Sequence, residues 1–205
     1  MAKRSMDLTL GAILSVLALP AILVLAIGVA LTLRTNPFFV QRRVGRGGRL
    51  IPILKLRTLP RSAPRFATKY ELEDVRIPAF TLRLRQMHLD ELPQLLLVPL
   101  GYLSLVGPRP EMPTMHAQAD PGFASERVQI RPGCTGLWQI SEANSGLIWE
   151  SPEYDRYYVR NCSVVLDLQI LWRTAIVMTG LGEPFSLESL RPAVAPARAR
   201  VELAA

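Results

Sequence analysis

Asp90 and Glu91 stand side by side in the segment Arg85-Gln-Met-His-Leu-Asp-Glu-Leu-Pro-Gln94. A carboxylate can attack phosphorus if it stays ionised and if the charge on the phosphate ester is screened. Asp90 is the candidate nucleophile. Glu91 is the candidate Mg2+ ligand, because Mg2+ takes oxygen ligands and commonly shares one protein carboxylate with water and substrate phosphates. Arg85 can hold a phosphate, and its charge also favours the ionised form of Asp90. Lys55 and Arg57 alternate with apolar residues, so on a strand both would project from one face toward a common anion. Arg109 is held between Pro108 and Pro110. The pair alone proves no chemistry, since two acids at a helix start are ordinarily just good partners for the helix dipole. His88 is read as a neighbour of the pair, not as a general base.

The setting of these residues narrows the chemistry. The chain has 205 residues, 24 Lys or Arg, 17 Asp or Glu, and a formal charge of +7. That balance favours anionic partners such as phosphorylated substrates, acidic lipid or nucleic acid. No acid occurs between Asp7 and Glu71, while Arg34, Arg42, Arg43, Arg46, Arg49, Lys55, Arg57, Arg61, Arg65 and Lys69 all fall there. Phe38, Phe39 and Phe66 are interspersed among them, yet no nucleic-acid-binding motif is present. Two cysteines, Cys134 and Cys162, and two histidines, His88 and His116, exclude a Cys/His metal centre of the usual spacings.

The expected positioning element is a membrane segment. Leu8 to Leu33 carries no charge, and as a straight helix it would reach about 39 Å, more than the roughly 30 Å hydrocarbon core. Pro20 near its middle removes one backbone hydrogen bond and crowds the preceding turn. Lys3 and Arg4 precede the run, and Arg34, Arg42 and Arg43 follow it, so a single span would carry basic residues to the far side. A re-entrant hairpin broken at Pro20 keeps both flanks on the cytoplasmic face. A plain span and a cleaved signal peptide remain alternatives.

The remainder reads as a mainly helical α/β fold. Residues 1–35 form the membrane segment, 36–185 a catalytic domain on the cytoplasmic face, and 186–205 a disordered tail rich in Ala, Pro and Arg. Phe38 to Arg43 and Leu50 to Arg57 are predicted as a hairpin turned by Gly45-Arg-Gly-Gly48. Leu59 to Pro64 is a loop, and a helical region is expected to begin over Glu71 to Arg76. Phe80 to Met87 is a short helix, followed by a second that Asp90 caps and Pro93 enters in its first turn. Leu103 to Pro113 and Arg127 to Gln139 are ordered loops. Glu153 to Arg160 and Ser163 to Met178 are amphipathic surface helices, the latter with Val164, Leu168, Leu171, Trp172 and Ala175 on one face.

The ordered set Lys3-Arg-Ser-Met-Asp7, Gln41-Arg-Arg-Val-Gly45, Leu54-Lys-Leu-Arg57, Leu89-Asp-Glu-Leu-Pro-Gln94, Ser104-Leu-Val-Gly-Pro-Arg-Pro110, Arg131-Pro-Gly-Cys-Thr-Gly136 and Leu166-Asp-Leu168 resembles the small monotopic phosphoglycosyl transferases, also called bacterial sugar transferases. The resemblance runs from Lys3 to Met178. It implies transfer of a sugar-1-phosphate from a UDP-sugar donor to polyprenyl phosphate through an aspartyl-phosphosugar intermediate, with Mg2+. The enzyme would then sit among the lipids of the bacterial inner membrane and start exopolysaccharide, capsule, O-antigen or glycoprotein glycan synthesis. It further implies that Arg109 binds nucleotide and that Asp167 orients the phosphate-binding Arg85. Where family members often carry Ser-Pro, Gly-Asp-Met-Ser and Asn-Gly-Arg, this chain has Leu19-Pro20, Gly101-Tyr-Leu-Ser104 and Ser141-Glu-Ala143. A membrane-anchored basic module for acidic lipid or nucleic acid, and an inactive scaffold, are the rival classes. The donor sugar and the oligomeric state, a homodimer included, stay open.

Overall fold

A computed structural model describes residues 2–63, 75–180, 182, 184 and 186. The helical region expected to begin at Glu71 lies largely outside these residues, as does nearly all of the expected 186–205 tail. Arg76, the end of that region, has no helical backbone.

The apolar run folds as one helix, α1, Ala2–Leu33. Pro20 lies within it and the helix continues on both sides, so the expected break into two helices is not found. A single proline costs an interior helix about 3 kcal/mol, whereas α1 is held by contacts on both sides of Pro20. Before it, Arg4 donates to the carbonyls of Val98 and Pro99, and Ser15 donates to the carbonyl of Leu95. After it, Ala26 and Val29 pack with Leu56 and Leu84. The docking stripe is Asp7, Gly11, Ser15, Ile22, Ala26 and Val29, spaced three, four or seven apart as one helical face requires. Small residues on that stripe permit close approach: a Cβ on Gly11 would stand 2.6 Å from Val98 Cγ1. The opposite face is apolar and bare, with Leu17 and Val24 each 69% and Leu31 75% exposed.

β1 (Phe38–Val44) and β2 (Leu50–Leu56) pair antiparallel, with Phe38 opposite Leu56 and Val44 opposite Leu50. Gly47 and Gly48 adopt φ of 67° and 74° in the turn, a region that non-glycine residues rarely enter. Next come α2 (Ala79–Gln86) and a 3-10 helix, Leu89–Leu97. The cap of the latter is His88, in left-handed conformation, not Asp90 as expected; Asp90 falls inside the first turn. This 3-10 helix packs between α1 and β2.

The expected loop at Leu103–Pro113 contains a short strand, β3 (Ser104–Val106), and ends at α3 (Pro113–Gln118). α4 (Pro121–Arg127) follows, and then β4 (Gly133–Thr135) pairs parallel with β3. α5 (Pro152–Asn161) starts at a proline, and α6 (Val164–Met178) is capped by the Ser163 side chain, which accepts from the Leu166 N–H. Leu97, Val98, Leu105, Val106, Tyr158, Leu166 and Ile170 form the centre of the main core. α6 therefore turns Leu166, Asp167 and Ile170 inward. Leu168 and Trp172, from the apolar face predicted for this helix, point outward.

Candidate active site

One large cleft, about 770 Å3, opens between the hairpin, the segment after β2 and the start of the 3-10 helix. The pairing register explains which side chains reach it. Phe39, Gln41 and Arg43 on β1 share a face with Lys55 and line the cleft, Val40 reaches its rim while half exposed, and Arg42, on the other face, is exposed to solvent. Arg57 follows β2; it stacks over the Phe39 ring at 5.6 Å and donates from Nε to the Asn36 carbonyl at 3.1 Å. The left-handed turn at His88 starts the 3-10 helix beneath the cleft and so presents Asp90 and Glu91 to it. Arg85 comes from the end of α2, and Arg109 from the loop after β3.

Glu91 is clamped by two cations on one oxygen. Lys55 Nζ lies 2.5 Å and Arg109 Nη2 3.2 Å from its Oε1. Burial pushes the Glu91 carboxyl up, but Arg109 and Lys55 outweigh it and hold the acid well below the usual carboxylate range. The Arg109 guanidinium is raised by Glu91 against the opposing effect of its burial. Burial lowers Lys55, opposed by Glu91. Asp90 behaves in the opposite way to its neighbour. Burial, then the charge of Glu91, push it up from 3.8 to about 6, against the pull of Lys55, Arg85 and His88. Two adjacent acids are thus driven apart: one permanently anionic, the other ionising just below neutrality. Divergent environments of this kind mark acids with separate roles.

Lys55, Arg57, Arg85, Asp90, Glu91 and Arg109 all line this one cleft, as their sequence pattern suggested. Asp167 does not join them. Its Oδ2 accepts from Lys3 Nζ at 2.6 Å and its Oδ1 from the Tyr158 hydroxyl at 2.5 Å. With both oxygens engaged in the core, Asp167 fixes the first turn of α1 and not Arg85. Pro20 likewise lies away from the cleft. Arg43 was missed as a site residue: it lines the cleft and donates to the Pro110 carbonyl at 3.3 Å. Its parity with Lys55 across the hairpin is the signal that would have found it. Asp7 was also missed; fully buried, it accepts from the Ser104 hydroxyl and the Leu105 N–H, and so ties α1 to β3.

The cleft thus gathers a carboxylate pair and the cations Lys55, Arg43, Arg57, Arg85 and Arg109, a charge arrangement suited to an anionic ligand. Comparison with known proteins makes this specific. A family model described as bacterial sugar transferase matches residues 1–180. The chain belongs to that family. It is 34% identical over 189 residues to the exopolysaccharide production protein ExoY of Sinorhizobium fredii, covering 84% of this chain and 83% of that one. It is 36% identical over 186 residues to a UDP-glucose:undecaprenyl-phosphate glucose-1-phosphate transferase of Caulobacter vibrioides, covering 84% and 67%. It is also 33% identical to a UDP-N-acetylgalactosamine-undecaprenyl-phosphate N-acetylgalactosaminephosphotransferase of Aeromonas hydrophila; there the match covers 88% of this chain but 44% of the longer protein.

Proposed function

We propose that this protein transfers a sugar-1-phosphate from a UDP-sugar to undecaprenyl phosphate, at the cytoplasmic face of the bacterial inner membrane, to begin an exopolysaccharide or related glycan. The observation that carries the reading is the placement of Asp90, ionising near pH 6, in a cation-lined cleft of about 770 Å3. That volume suits a nucleoside diphosphate sugar. Names of the relatives supply the donor and acceptor classes.

In the first displacement an Asp90 oxygen attacks the phosphorus that bears the sugar. A bond forms between that oxygen and phosphorus, the bridging P–O bond breaks, and UMP leaves with the electron pair. In the second, a phosphate oxygen of the lipid attacks the same phosphorus and releases the Asp90 carboxylate. Arg85, Arg57 and Arg109 neutralise the phosphate oxygens during both steps, because charge stabilisation and positioning are what phosphoryl transfer requires of a protein. Glu91 stays anionic throughout under Lys55 and Arg109.

Mg2+ would be held through the Glu91 oxygen that Lys55 and Arg109 do not take. Among the described residues no group of three or more His, Cys, Asp or Glu side chains forms a closed cage. An ion here would be shared between Glu91 and substrate oxygens, the usual arrangement for Mg2+ at phosphates. When bound it would supply further neutralisation of the leaving UMP.

The lipid acceptor would approach along α1. Leu56 lines the cleft and also packs on Ala26 and Val29 of that helix. Because α1 docks onto one domain from Lys3 to Leu33, both of its flanks lie on that domain's side, which supports a monotopic seat in the membrane. The test is direct. Protein in nanodiscs with a UDP-sugar, Mg2+ and no acceptor should gain one sugar-phosphate in mass on the peptide holding Asp90, and UMP should turn over once undecaprenyl phosphate is added. Full turnover by Asp90→Asn would refute the scheme.

A further inference from the structure

We infer that Arg127 and Asp155, which lie outside the cleft, form a positioning pair that sets Arg109. The inference rests on the proposed transfer site. Arg109 reaches Glu91 with Nη2, and its backbone is stiffened by Pro108 and Pro110, which fix their own φ and restrict the residue before each. A stiff loop aims its side chain accurately only if the loop itself is anchored. The anchor on Arg109 is its carbonyl, which accepts from Arg127 Nη2 at 2.6 Å. Arg127, the last residue of α4, is 6% exposed, and its Nε donates to Asp155 Oδ2 on α5 at 2.7 Å. The Phe123 ring packs over its guanidinium at 5.4 Å.

Each part of this arrangement has a separate job. Asp155, buried beside the guanidinium, fixes the plane of the fork. The fork presents Nη2 to one backbone oxygen, so the carbonyl of Arg109 is held while its side chain remains free to reach Glu91. A pair that only joined α4 to α5 would need the Nε contact alone. The second bond, from Nη2 to the loop, is what ties the pair to the site.

Lysine at position 127 keeps a cation beside Asp155 but offers a single ammonium, which cannot reproduce the two-point fork. Loss of one charge-assisted hydrogen bond at a positioned group corresponds to about a tenfold fall in kcat/KM. Arg127→Lys, Asp155→Asn and Arg109→Ala should therefore be compared singly, and each of the first two combined with the third, in nanodiscs with UDP-sugar and undecaprenyl phosphate. The expected result is about a tenfold loss for Arg127→Lys that shrinks below about twofold in the Arg109→Ala background, because both changes remove the same function. Amide exchange over residues 107–111 should rise in Arg127→Lys with it. Asp155→Asn repeats the comparison from the other partner and serves if the lysine variant does not fold. Losses that multiply, or full activity with native exchange at 107–111, would overturn the positioning role. Retained activity in Asp90→Asn would instead overturn the transfer scheme, so the two failures are separable.

Discussion

Replacing Asp90 with Asn should stabilise the protein while ending its turnover, and the size of the gain follows from the site. In the native state Asp90 binds its proton more tightly than in an unfolded chain, at about 6 instead of 3.8. Ionising it therefore costs stability, by about 3 kcal/mol at roughly 1.4 kcal/mol per unit. The cost is absent well below 3.8, grows through the window between the two values, and is complete above about 6. Asn is neutral at every pH and close in shape, so it escapes the cost. The expected gain is about 3 kcal/mol at pH 8, about half of that at pH 5 and about half a kcal/mol at pH 4. For a chain of this size 3 kcal/mol corresponds to roughly 6–12 °C in Tm. Thermal unfolding of both proteins in one detergent, without donor or Mg2+, at these three pH values provides the measurement. An Asn variant that melts below the parent at pH 8, or a gain that does not shrink as pH falls, would refute the picture of a nucleophile held against its own desolvation.

Turnover should follow the same group: log kcat/KM for the donor should rise with unit slope to about pH 6 and then level, and a rate flat from pH 4.5 to 8 would contradict it. Asp167→Ala should leave the donor KM within about twofold of the parent, since its partners are Lys3 and Tyr158, while lowering stability by about 3 kcal/mol through the stranded buried groups. A donor titration and a melt on the same sample separate this from a role on Arg85. Single cysteines at Ser5 and Arg34, both exposed, should label from the cytoplasmic side in a background without Cys134 and Cys162. Labelling from opposite sides would establish a span.

Much of the fold could be read locally. The hairpin edges follow from alternation and from glycines at the turn, and α6 begins where Ser163 can cap it. Lys55, Arg57 and Arg109 were legible because strand alternation and the Pro-Arg-Pro sequence each constrain where a side chain points, whereas Arg43 needed the pairing register across the hairpin. What escaped depends on partners far along the chain. The parallel pairing of β3 with β4 uses three residues on each side, too short to show a period of two. Asp167 finds Lys3, 164 positions away, and nothing near Asp167 names that partner. The apolar stripe of α6 marks a face correctly but carries no information on whether protein or lipid covers it. Likewise the residues around Pro93 suit an α or a 3-10 turn equally well, and packing between α1 and β2 decides.

The knot of Lys3, Asp7, Ser104 and Asp167 has a consequence for how the protein is made. Lys3 and Asp7 leave the ribosome long before their partners, Asp167 lying 164 positions after Lys3 and Ser104 97 positions after Asp7. At ordinary rates of synthesis the interval to Asp167 is roughly 8–30 s. In the proposed monotopic seat the apolar helix would enter lipid within that time, while its charged first turn would wait in water on the side where translation proceeds. Arrival of α6 then closes the knot. In the proposed membrane seat, the order of synthesis would favour one orientation of the helix before the rest of the fold exists to enforce it.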